Sequence, residues 1–577
     1  MHGRLTPRER QMIRLNNVRA GVGRRRRRVV SAGVVALALV ASACGGDDDS
    51  TSATGAGATT EDATATTAGS ATSEATGDTG SSETTTPSST EGGTVSACRS
   101  DSLVFAVSAA STTLDPATLN QAASTFIQPA YEPLIRRNPA GDYVPGLAVE
   151  WGYVGDGNTE FALTLREGVT FSDGAELTAE GVKAHFEYMQ ASPVNGQLLT
   201  GATFEVTGPL ELTMKLASPN PLLEELLSQD WVIGMVISPT ALAAPEQLAT
   251  STAGAGQYVL DTDATLSGDT YVYRANPNYH DPSQVHFDTL TVRVITNPNS
   301  ILNALQSGEV DAALGDFTTA EGARSAGLQV VAQPTVWQGL GLLDRGGTLS
   351  APLGDQRVRQ AINYAIDREA ITEALYAGDG VASSQVALPG SEDYNEETAD
   401  MYAYDPDKAR ELLAEAGYPD GFALPTISTS FANIGLAGQA IAAQLAEVGI
   451  TLELDEREIN GYVGGVFGAE APAAVLGLGS PPVYIGATVA LMPTSPFNPF
   501  KTEDAELMDL YQQAAAAAPE DRVALSQQIV ARVQELAWFA PVTFTPVYVF
   551  GAPELGGIEV NERNRLQNPV EIFSTEC

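Results

Sequence analysis

Hydrophobic and polar positions predict short β-strands in the first part of the chain. Residues 103–108 form a continuous apolar run (LVFAVS), which is typical of a buried strand. Residues 161–165 and 211–216 alternate apolar and polar side chains, which predicts strands with one buried face. The pattern therefore indicates β-structure in three separate places.

Helical spacing of apolar residues dominates the second half. In residues 355–375 the apolar side chains fall on one face, which predicts a single helix. Residues 405–416 open with a capping aspartate followed by proline in the first turn, and end before Gly417. Further helices are predicted at residues 434–448, 507–518 and 522–536. Strands interleaved with helices over about 480 residues indicate α/β lobes.

Length and charge limit which classes of protein this sequence can encode. A chain of 577 residues is too long for one hydrophobic core, so we expect two or more compact units. The formal net charge is −40, although residues 1–43 hold ten arginines and one acid, so the remainder carries −49. Such an acidic body repels phosphate backbones, and we expect no binding to nucleic acid.

Residues 1–43 have the layout of a signal peptide. Five arginines precede an apolar stretch of small residues, 29–43, which is shorter than the roughly 20 residues of a membrane span. Ala41-Ser42-Ala43-Cys44 resembles the lipobox of bacterial lipoproteins, with alanine where leucine is usual, and predicts a lipid on Cys44. A basic cytoplasmic arm, ordinary cleavage after Ala43 and twin-arginine export are the alternatives.

Residues 44–97 are expected to form a flexible acidic linker behind the lipid-modified cysteine. From residue 45 the stretch is almost entirely Thr, Ser, Ala, Gly and acids, without Lys, Arg or aromatic residues. It cannot bury enough apolar surface to offset its ordering entropy. We interpret it as a tether with a span of about 40 Å, and an inert or glycosylated stalk is compatible with this.

The cysteines predict one disulfide. The chain has three cysteines, and if Cys44 carries lipid, Cys98 and Cys577 remain at the two ends of the folded part. Exported proteins meet oxidising conditions, and domain termini often lie close together. We predict a Cys98–Cys577 bond worth about 2–4 kcal/mol, which requires both ends to share one lobe.

No motif indicates an enzyme. The chain contains no G-x-S-x-G, H-E-x-x-H or C-x-x-C, and it has only four histidines, of which His185 falls in a predicted helix, 178–190. The many acids could supply a glycosidase pair, but the sequence selects none of them. We predict a protein without catalytic activity, cofactor or metal site, with an exported hydrolase as the alternative.

An ordered series of motifs runs from about residue 103 to 550. It comprises Tyr131-Glu132-Pro133-Leu134, Pro145-Gly146-Leu147-Ala148 with Trp151, Leu165–Gly174, Leu177–Glu180, Gly254–Tyr258, Asn276–Tyr279, Leu305–Asp311, Asp355–Arg368 and Tyr404–Gly421. The set resembles the signature of bacterial extracellular solute-binding protein family 5, which holds the dipeptide-, oligopeptide- and nickel-binding receptors of ABC importers. Within it, Gly168, Gly174 and Gly256 are expected at turns or positive φ. Arg359, Asp367 and Arg368 are expected in ion pairs on a helix surface.

The resemblance implies a two-lobed α/β fold of the periplasmic-binding-protein type (class II, large cluster with an extra subdomain). Its hinge of crossing strands is expected near 336–343 and 541–549. Lobe I would comprise residues 98–337 and 545–577, with the extra subdomain at about 136–238, and lobe II would comprise 338–544. A solute would be enclosed between the lobes, and the closed form would be recognised by a membrane permease.

The resemblance also bears on the cargo. Peptide binders of this family commonly carry an aspartate beside a tryptophan-rich loop, which pairs with the α-ammonium of the peptide. The matching region here, 476–500, has neither an acid nor a tryptophan, and a buried ammonium without a partner is costly. Nickel is disfavoured because no histidine follows His286. We therefore expect a neutral pocket for a blocked peptide, a glycoside or another medium-sized solute.

The fold suggests six ligand contacts by topology alone. They are Ser111, Thr112, Trp231, Trp337, Gln338 and Tyr484. We expect a monomeric receptor, lipid-anchored through Cys44 at the outer face of the cytoplasmic membrane, with an ABC permease and a peptide-like or small-molecule ligand as partners. A sensor with the same fold is the alternative within this family.

Overall fold

The computed structural model describes residues 99–119, 121–138, 141–479, 481–558 and 568–576. The predicted signal peptide, the linker and the three cysteines Cys44, Cys98 and Cys577 lie outside the described residues. No helix of the described part combines the length and apolarity needed to cross a bilayer.

Nineteen strands occur in this part of the chain. They are β1 (Ser100–Val107), β2 (Ile135–Arg137), β3 (Tyr143–Pro145), β4 (Ala148–Tyr153), β5 (Glu160–Leu165), β6 (Thr203–Gly208), β7 (Glu211–Lys215), β8 (Tyr258–Leu260), β9 (Thr270–Ala275), β10 (Phe287–Val294), β11 (Ala312–Gly315), β12 (Gln329–Leu342), β13 (Val381–Ala382), β14 (Phe422–Ser428), β15 (Ile450–Glu456), β16 (Ala473–Gly479), β17 (Phe539–Gly551), β18 (Leu555–Gly556) and β19 (Phe573–Ser574). The predicted strands at 103–108, 161–165 and 211–216 are confirmed as β1, β5 and β7.

Twelve α-helices accompany these strands in the same described residues. They are α1 (Ala179–Ala191), α2 (Leu223–Leu226), α3 (Pro298–Ser307), α4 (Phe317–Ser325), α5 (Gln356–Tyr364), α6 (Arg368–Tyr376), α7 (Pro406–Glu415), α8 (Ile434–Glu447), α9 (Ile459–Phe467), α10 (Val483–Ala490), α11 (Ala505–Ala516) and α12 (Pro519–Glu535). The predicted helix starting at Asp405 is confirmed as α7, where the Asp405 carboxylate accepts a hydrogen bond from the Lys408 backbone N–H at 2.8 Å.

One large mixed sheet runs through both halves of the molecule. Its strand order is β15-β14-β16-β12-β17-β11-β1-β10-β9-β8, with β13 paired to β17. We call the half built on β1 and β8–β11 the first lobe and the half built on β14–β16 the second lobe. The first lobe also carries a four-stranded antiparallel sheet, β4-β5-β7-β6. The long strands β12 and β17 belong to both lobes.

The hydrophobic cores follow this division. The first lobe holds a large core that includes Phe105, Phe161 and Tyr273, and a smaller one that includes Ala106 and Ala313. In the second lobe two cores lie on opposite faces of the sheet, because side chains alternate along β12: Trp337 belongs to one and Leu340 to the other. Separate cores of this kind are what a chain of this length requires.

The predicted single helix at residues 355–375 is wrong. The chain forms α5 and α6, and the carboxylate of Asp367 caps α6 by accepting a hydrogen bond from the Ala370 N–H at 3.0 Å. The apolar spacing continues across the break because both helices pack on one core. A capping aspartate inside the apolar repeat therefore marks the start of a second helix.

The predicted surface ion pairs of this segment are also wrong. Arg359 is buried and donates to the carbonyl oxygens of Leu536 and Leu353. Arg368 is buried as well, and it donates to the carbonyls of Pro541, Asn363, Ile366 and Tyr402. Both guanidinium groups therefore bind loop and strand backbone inside the second lobe.

Two of the three glycine expectations are confirmed. Gly168 and Gly174 adopt φ values of 75° and 85°, a region that glycine occupies without strain. Gly256 is required for a different reason, since a Cβ there would lie 2.5 Å from the carbonyl carbon of Ala130.

Candidate functional site

The two lobes meet where β12 and β17 cross from one half of the sheet to the other. Val336–Leu342 pairs with β16 of the second lobe, whereas Tyr548–Gly551 of β17 pairs with β11 of the first. Between these stretches Pro334 lies opposite Pro546, and a bulge separates Pro334 from Val336. Proline has no N–H to donate, and a bulge shifts the register, so the ladder of hydrogen bonds is interrupted at this crossing.

A cavity of about 440 Å³ lies between the lobes. Its first-lobe wall is formed by the turn before β6, the loop after β7 and Leu226 of α2, and its second-lobe wall is α10 with the loop after it. The lining residues are Gln197, Leu198, Leu199, Thr200, Leu216, Ala217, Ser218, Pro219, Asn220, Leu226, Tyr484, Ile485, Thr488, Val489, Thr494 and Pro496. None of these lining residues is charged, so the wall offers hydroxyls, amides and apolar groups.

Tyr484 connects the two walls of this cavity. Its ring stacks on Tyr511 of α11, with 4.7 Å between centroids and 2° between planes. Its hydroxyl donates to the carbonyl oxygen of Pro219 in the first lobe at 2.9 Å. Burial raises the pKa of the Tyr484 hydroxyl above its ordinary value, so the group stays a hydrogen-bond donor at neutral pH.

Trp337 lies beside a second, smaller cavity of about 40 Å³ in the second lobe. Its ring meets Phe539 edge to face, with 5.5 Å between centroids. Val489 lines both this cavity and the larger one. Trp337 is 3% exposed and belongs to the core, so it faces the smaller cavity rather than the space between the lobes.

Gln338 holds a strained turn against the crossing strands. Its amide donates to the carbonyl oxygen of Ala432 at 3.0 Å and accepts from the Tyr376 hydroxyl at 3.1 Å. Ala432 and Asn433 both adopt positive φ, 51° and 60°. Positive φ at alanine is costly and persists only where surrounding contacts enforce it.

The remaining sequence-predicted contacts lie elsewhere. Thr112 is exposed, and Ser111 is half-buried with its hydroxyl donated to the carbonyl of Thr113. Trp231 packs on the first-lobe core, and its indole N–H donates to Glu225 at 3.4 Å. Neither of the two cavities described above is lined by these three residues.

Sequence reasoning did not find most of the cavity wall. Gln197, Ser218, Asn220, Thr488 and Thr494 bring polar groups to it. These side chains come from segments almost 300 residues apart in the sequence, and none stands in a motif. No local signal marked them.

An acidic side chain from another part of the chain contacts the segment 476–500. Asp393 is 8% exposed, and its carboxylate accepts a hydrogen bond from the Val483 N–H at 2.8 Å, at the start of α10. It thus stabilises the helix terminus, where negative charge is favoured. It lines neither cavity, so this region presents no carboxylate to a ligand ammonium in either of them.

The described residues contain no group of three His, Cys, Asp or Glu side chains that could hold a metal ion. His185 is fully buried in α1, where Nε2 donates to the Ile233 carbonyl at 2.9 Å and Nδ1 accepts from the Ile237 N–H at 3.3 Å. Burial lowers the pKa of this imidazole from 6.5 to about 4. It is therefore a neutral structural residue.

Three kinds of comparison place this geometry among known proteins. The family profile described as "Bacterial extracellular solute-binding proteins, family 5 Middle" matches residues 142–484. The chain is 29% identical over 364 residues to the glutathione-binding protein GsiB of Salmonella paratyphi A, which covers 61% of this chain and 69% of that protein. It is 28% identical over 373 residues to GsiB of Escherichia coli K12, covering 62% and 70%.

Solved structures share the fold. DppA of Helicobacter pylori, in complex with the peptide STSA, superposes with a TM-score of 0.69 at 21% identity, covering 83% of this chain and 99% of that one. NikA of Brucella suis, in complex with Fe(III)-EDTA, gives 0.70 at 23% identity, covering 82% and 99%. The two-lobed fold of periplasmic binding proteins, predicted from the motif series, is confirmed.

Proposed function

This chain belongs to the bacterial extracellular solute-binding proteins of family 5, and we propose that it captures an uncharged or end-blocked solute of peptide-like size. It is a solute-binding receptor, and members of this family work with ABC permeases. Beyond membership of the family, we propose the class of cargo. It is a molecule without a free ammonium group, which is enclosed between the lobes and delivered to the permease.

The uncharged wall of the 440 Å³ cavity carries this proposal. A charged group moved from water into a site without an opposite charge loses solvation that neutral hydroxyls and amides replace only in part. A neutral solute loses less, and the mixture of apolar and polar lining groups suits it. The cavity volume lies in the range of small-molecule sites, about 300–1,000 Å³.

The glutathione-binding relatives allow a comparison of the charge of the cargo. Glutathione has a free ammonium and two carboxylates, so it needs charged partners in a closed site. The lining described here offers none. We therefore propose that the cargo differs from that of GsiB and resembles a peptide whose ends are blocked.

We propose the lobe division expected from the sequence, with 98–337 and 545–577 in lobe I and 338–544 in lobe II. The pairing change near Pro334 and Pro546 supports it. Of the six predicted contacts, Tyr484 is the one we propose to touch solute, since it lines the cavity between the lobes. The other five remain predictions.

The anchoring and location are proposals as well. We propose export, lipid attachment at Cys44 and a monomer that is tethered by residues 44–97 to the outer face of the cytoplasmic membrane. The basic leader and the small residues before Cys44 support this.

Native mass spectrometry of the gently purified exported protein tests the cargo class. We expect a one-to-one adduct that disappears after denaturation and refolding. Titration calorimetry then compares one tripeptide in two forms, N-acetylated with a C-terminal amide and with free ends. The blocked form should bind at least 10-fold more tightly; tighter binding of the free form, or of glutathione, contradicts the proposal. Turnover of an added ester or glycoside contradicts the receptor role itself.

Tyr484→Ala tests the site. It should weaken binding of the blocked peptide about 10-fold or more, equivalent to about 1.4 kcal/mol, because it removes both a cavity wall and a contact across the lobes. Tyr404→Ala is the matched control, since Tyr404 is 45% exposed and lines neither cavity. Equal effects of the two substitutions would place the solute elsewhere.

A further inference from the structure

Arg345 is a buried cation with an incomplete set of hydrogen bonds. It follows β12 and is 5% exposed. Its Nη1 donates to Oδ1 of Asn498 at 3.0 Å, whereas Nε and Nη2 are buried without a hydrogen-bond partner among the residues that the structure describes. A buried donor left unsatisfied costs about 1–3 kcal/mol, and more when the group is charged. The arrangement is therefore unfavourable unless a further acceptor joins it.

No carboxylate forms an ion pair with this guanidinium among the described residues. The neighbouring Asp344 is fully buried, but its carboxylate accepts hydrogen bonds from the backbone N–H groups of Thr348, Leu349 and Ser350. The Asp344 carboxylate therefore stabilises the turn that follows and forms no ion pair with Arg345.

A second buried cation lies close to the first. Arg359 of α5 donates to the carbonyl oxygens of Leu536 and Leu353. Burial, together with this neighbouring charge, lowers the pKa of Arg345 well below its ordinary value. Two guanidinium groups in one apolar region create a positive potential that favours an anion.

The free edge of Arg345 has the geometry that binds anions. Nε–H and one Nη2–H lie side by side on one edge of the planar group, and this fork matches an oxyanion or a halide. The guanidinium lies over Trp538, with its central carbon 4.1 Å from the ring centroid, and 5.3 Å from that of Phe539. Both rings therefore pack against the guanidinium.

We propose that Arg345 binds a small monovalent anion, such as chloride or formate, through Nε–H and Nη2–H. The anion neutralises the guanidinium and satisfies both donors. It is distinct from the transported solute, so this site stands whether or not the cargo proposal holds.

The small cavity of the second lobe shares neighbouring residues with Arg345. Phe539, which contacts Arg345, and Leu491, whose carbonyl accepts from Asn498 at 3.1 Å, both line it. Its volume of about 40 Å³ exceeds the roughly 10–15 Å³ that a single water requires. Arg345 itself is not among the lining residues, so the proposed anion reaches Nε and Nη2 only if the side chains between them and the cavity move.

Chloride-dependent unfolding tests this site. The whole exported protein is unfolded by urea in mixtures of sodium chloride and sodium gluconate at constant ionic strength, which keeps general salt effects equal. We expect the unfolding constant to fall tenfold for each tenfold rise in chloride above the dissociation constant, as one site in the native state requires. No dependence on the chloride fraction would overturn the proposal.

Two variants test whether Arg345 is the source of the chloride dependence. Arg345→Met should abolish the chloride dependence, while Arg357→Met, which removes the same charge from the exposed face of α5, should retain it. Loss of the dependence in both variants, or in neither, would overturn the assignment to Arg345.

Crystals of the unaltered protein grown in bromide decide the question if Arg345→Met does not fold. An anomalous peak at hydrogen-bond distance from Nε and Nη2 of Arg345 is the expected result. Density without anomalous signal at that position, which indicates water, would overturn the proposal.

Discussion

The side-chain amide of Asn158 donates a hydrogen bond to the carbonyl oxygen of Ala515 at 3.0 Å, 357 residues further along the chain and in the other lobe. The same amide donates to the carbonyl of Ala517 at 2.8 Å. Both acceptors lie at the C-terminal end of α11, where carbonyls have no partner within the helix. Arg522 adds a third bond across the lobes, to the carbonyl of Pro221 at 2.7 Å. These contacts bind the two lobes directly to each other.

Asn158→Gly should shift the protein towards an open form. Asn158 has φ 53°, which glycine adopts freely, so the substitution removes two hydrogen bonds without backbone strain. Their loss is worth about 1–3 kcal/mol. Small-angle scattering should show a larger radius of gyration, and solute affinity should fall up to about 100-fold through the smaller closed fraction.

Asn138→Gly is the control for this substitution. Among the described residues, the side chain of Asn138 bonds only to Asp142, within its own loop of the first lobe. Scattering curves and affinity should match the unaltered protein. An unchanged radius of gyration for Asn158→Gly would show that other contacts dominate closure.

Gln338→Leu should destabilise the second lobe. The substitution keeps the size of the side chain but leaves the Ala432 carbonyl and the Tyr376 hydroxyl without their partner. We expect a loss of about 2–4 kcal/mol in urea unfolding. Gln528→Leu, at an exposed position of α12, should change stability by less than about 0.5 kcal/mol; equal losses would contradict the role of Gln338.

Acid should weaken the fold through His185. Because its pKa is about 4 in the fold and 6.5 when unperturbed, the unfolded chain binds the proton first as the pH falls. Stability from this residue is complete above pH 6.5 and declines by about 3 kcal/mol on reaching pH 4. Unfolding of His185→Gln, measured from pH 7 to 4, should lack this part of the decline. If stability falls equally with pH in the variant and in the unaltered protein, His185 does not cause this decline.

The Cys98–Cys577 disulfide remains a prediction, and residues beside it support it. The Ser100 N–H donates to the His286 carbonyl at 2.8 Å, and the His286 ring lies 5.8 Å from that of Phe573. The intact mass should rise by about two hydrogens on reduction, and reduction should cost about 2–4 kcal/mol. An unchanged mass would exclude the bond.

Local pattern predicted much of the secondary structure. The strands around residues 103–108 and 161–165 and the helix capped by Asp405 were readable because their signals depend on neighbouring residues. The segment 355–375 was misread because periodicity continues through a break when both helices face one core. Arg359 and Arg368 were misread for a related reason: a charged residue on a predicted helix looks exposed unless its buried carbonyl acceptors are known.

The sequence by itself determined the alternation of strands and helices, the strongly acidic charge and the family, because each rests on local composition or on the order of motifs. Only the tertiary structure decided which side chains share a space. The cavity wall joins the loop after β7 to α10, and Asn158 reaches α11. The guanidinium of Arg345 lies over Trp538, almost 200 positions further along the chain. Such contacts follow from how the lobes pack, and no local pattern encodes them.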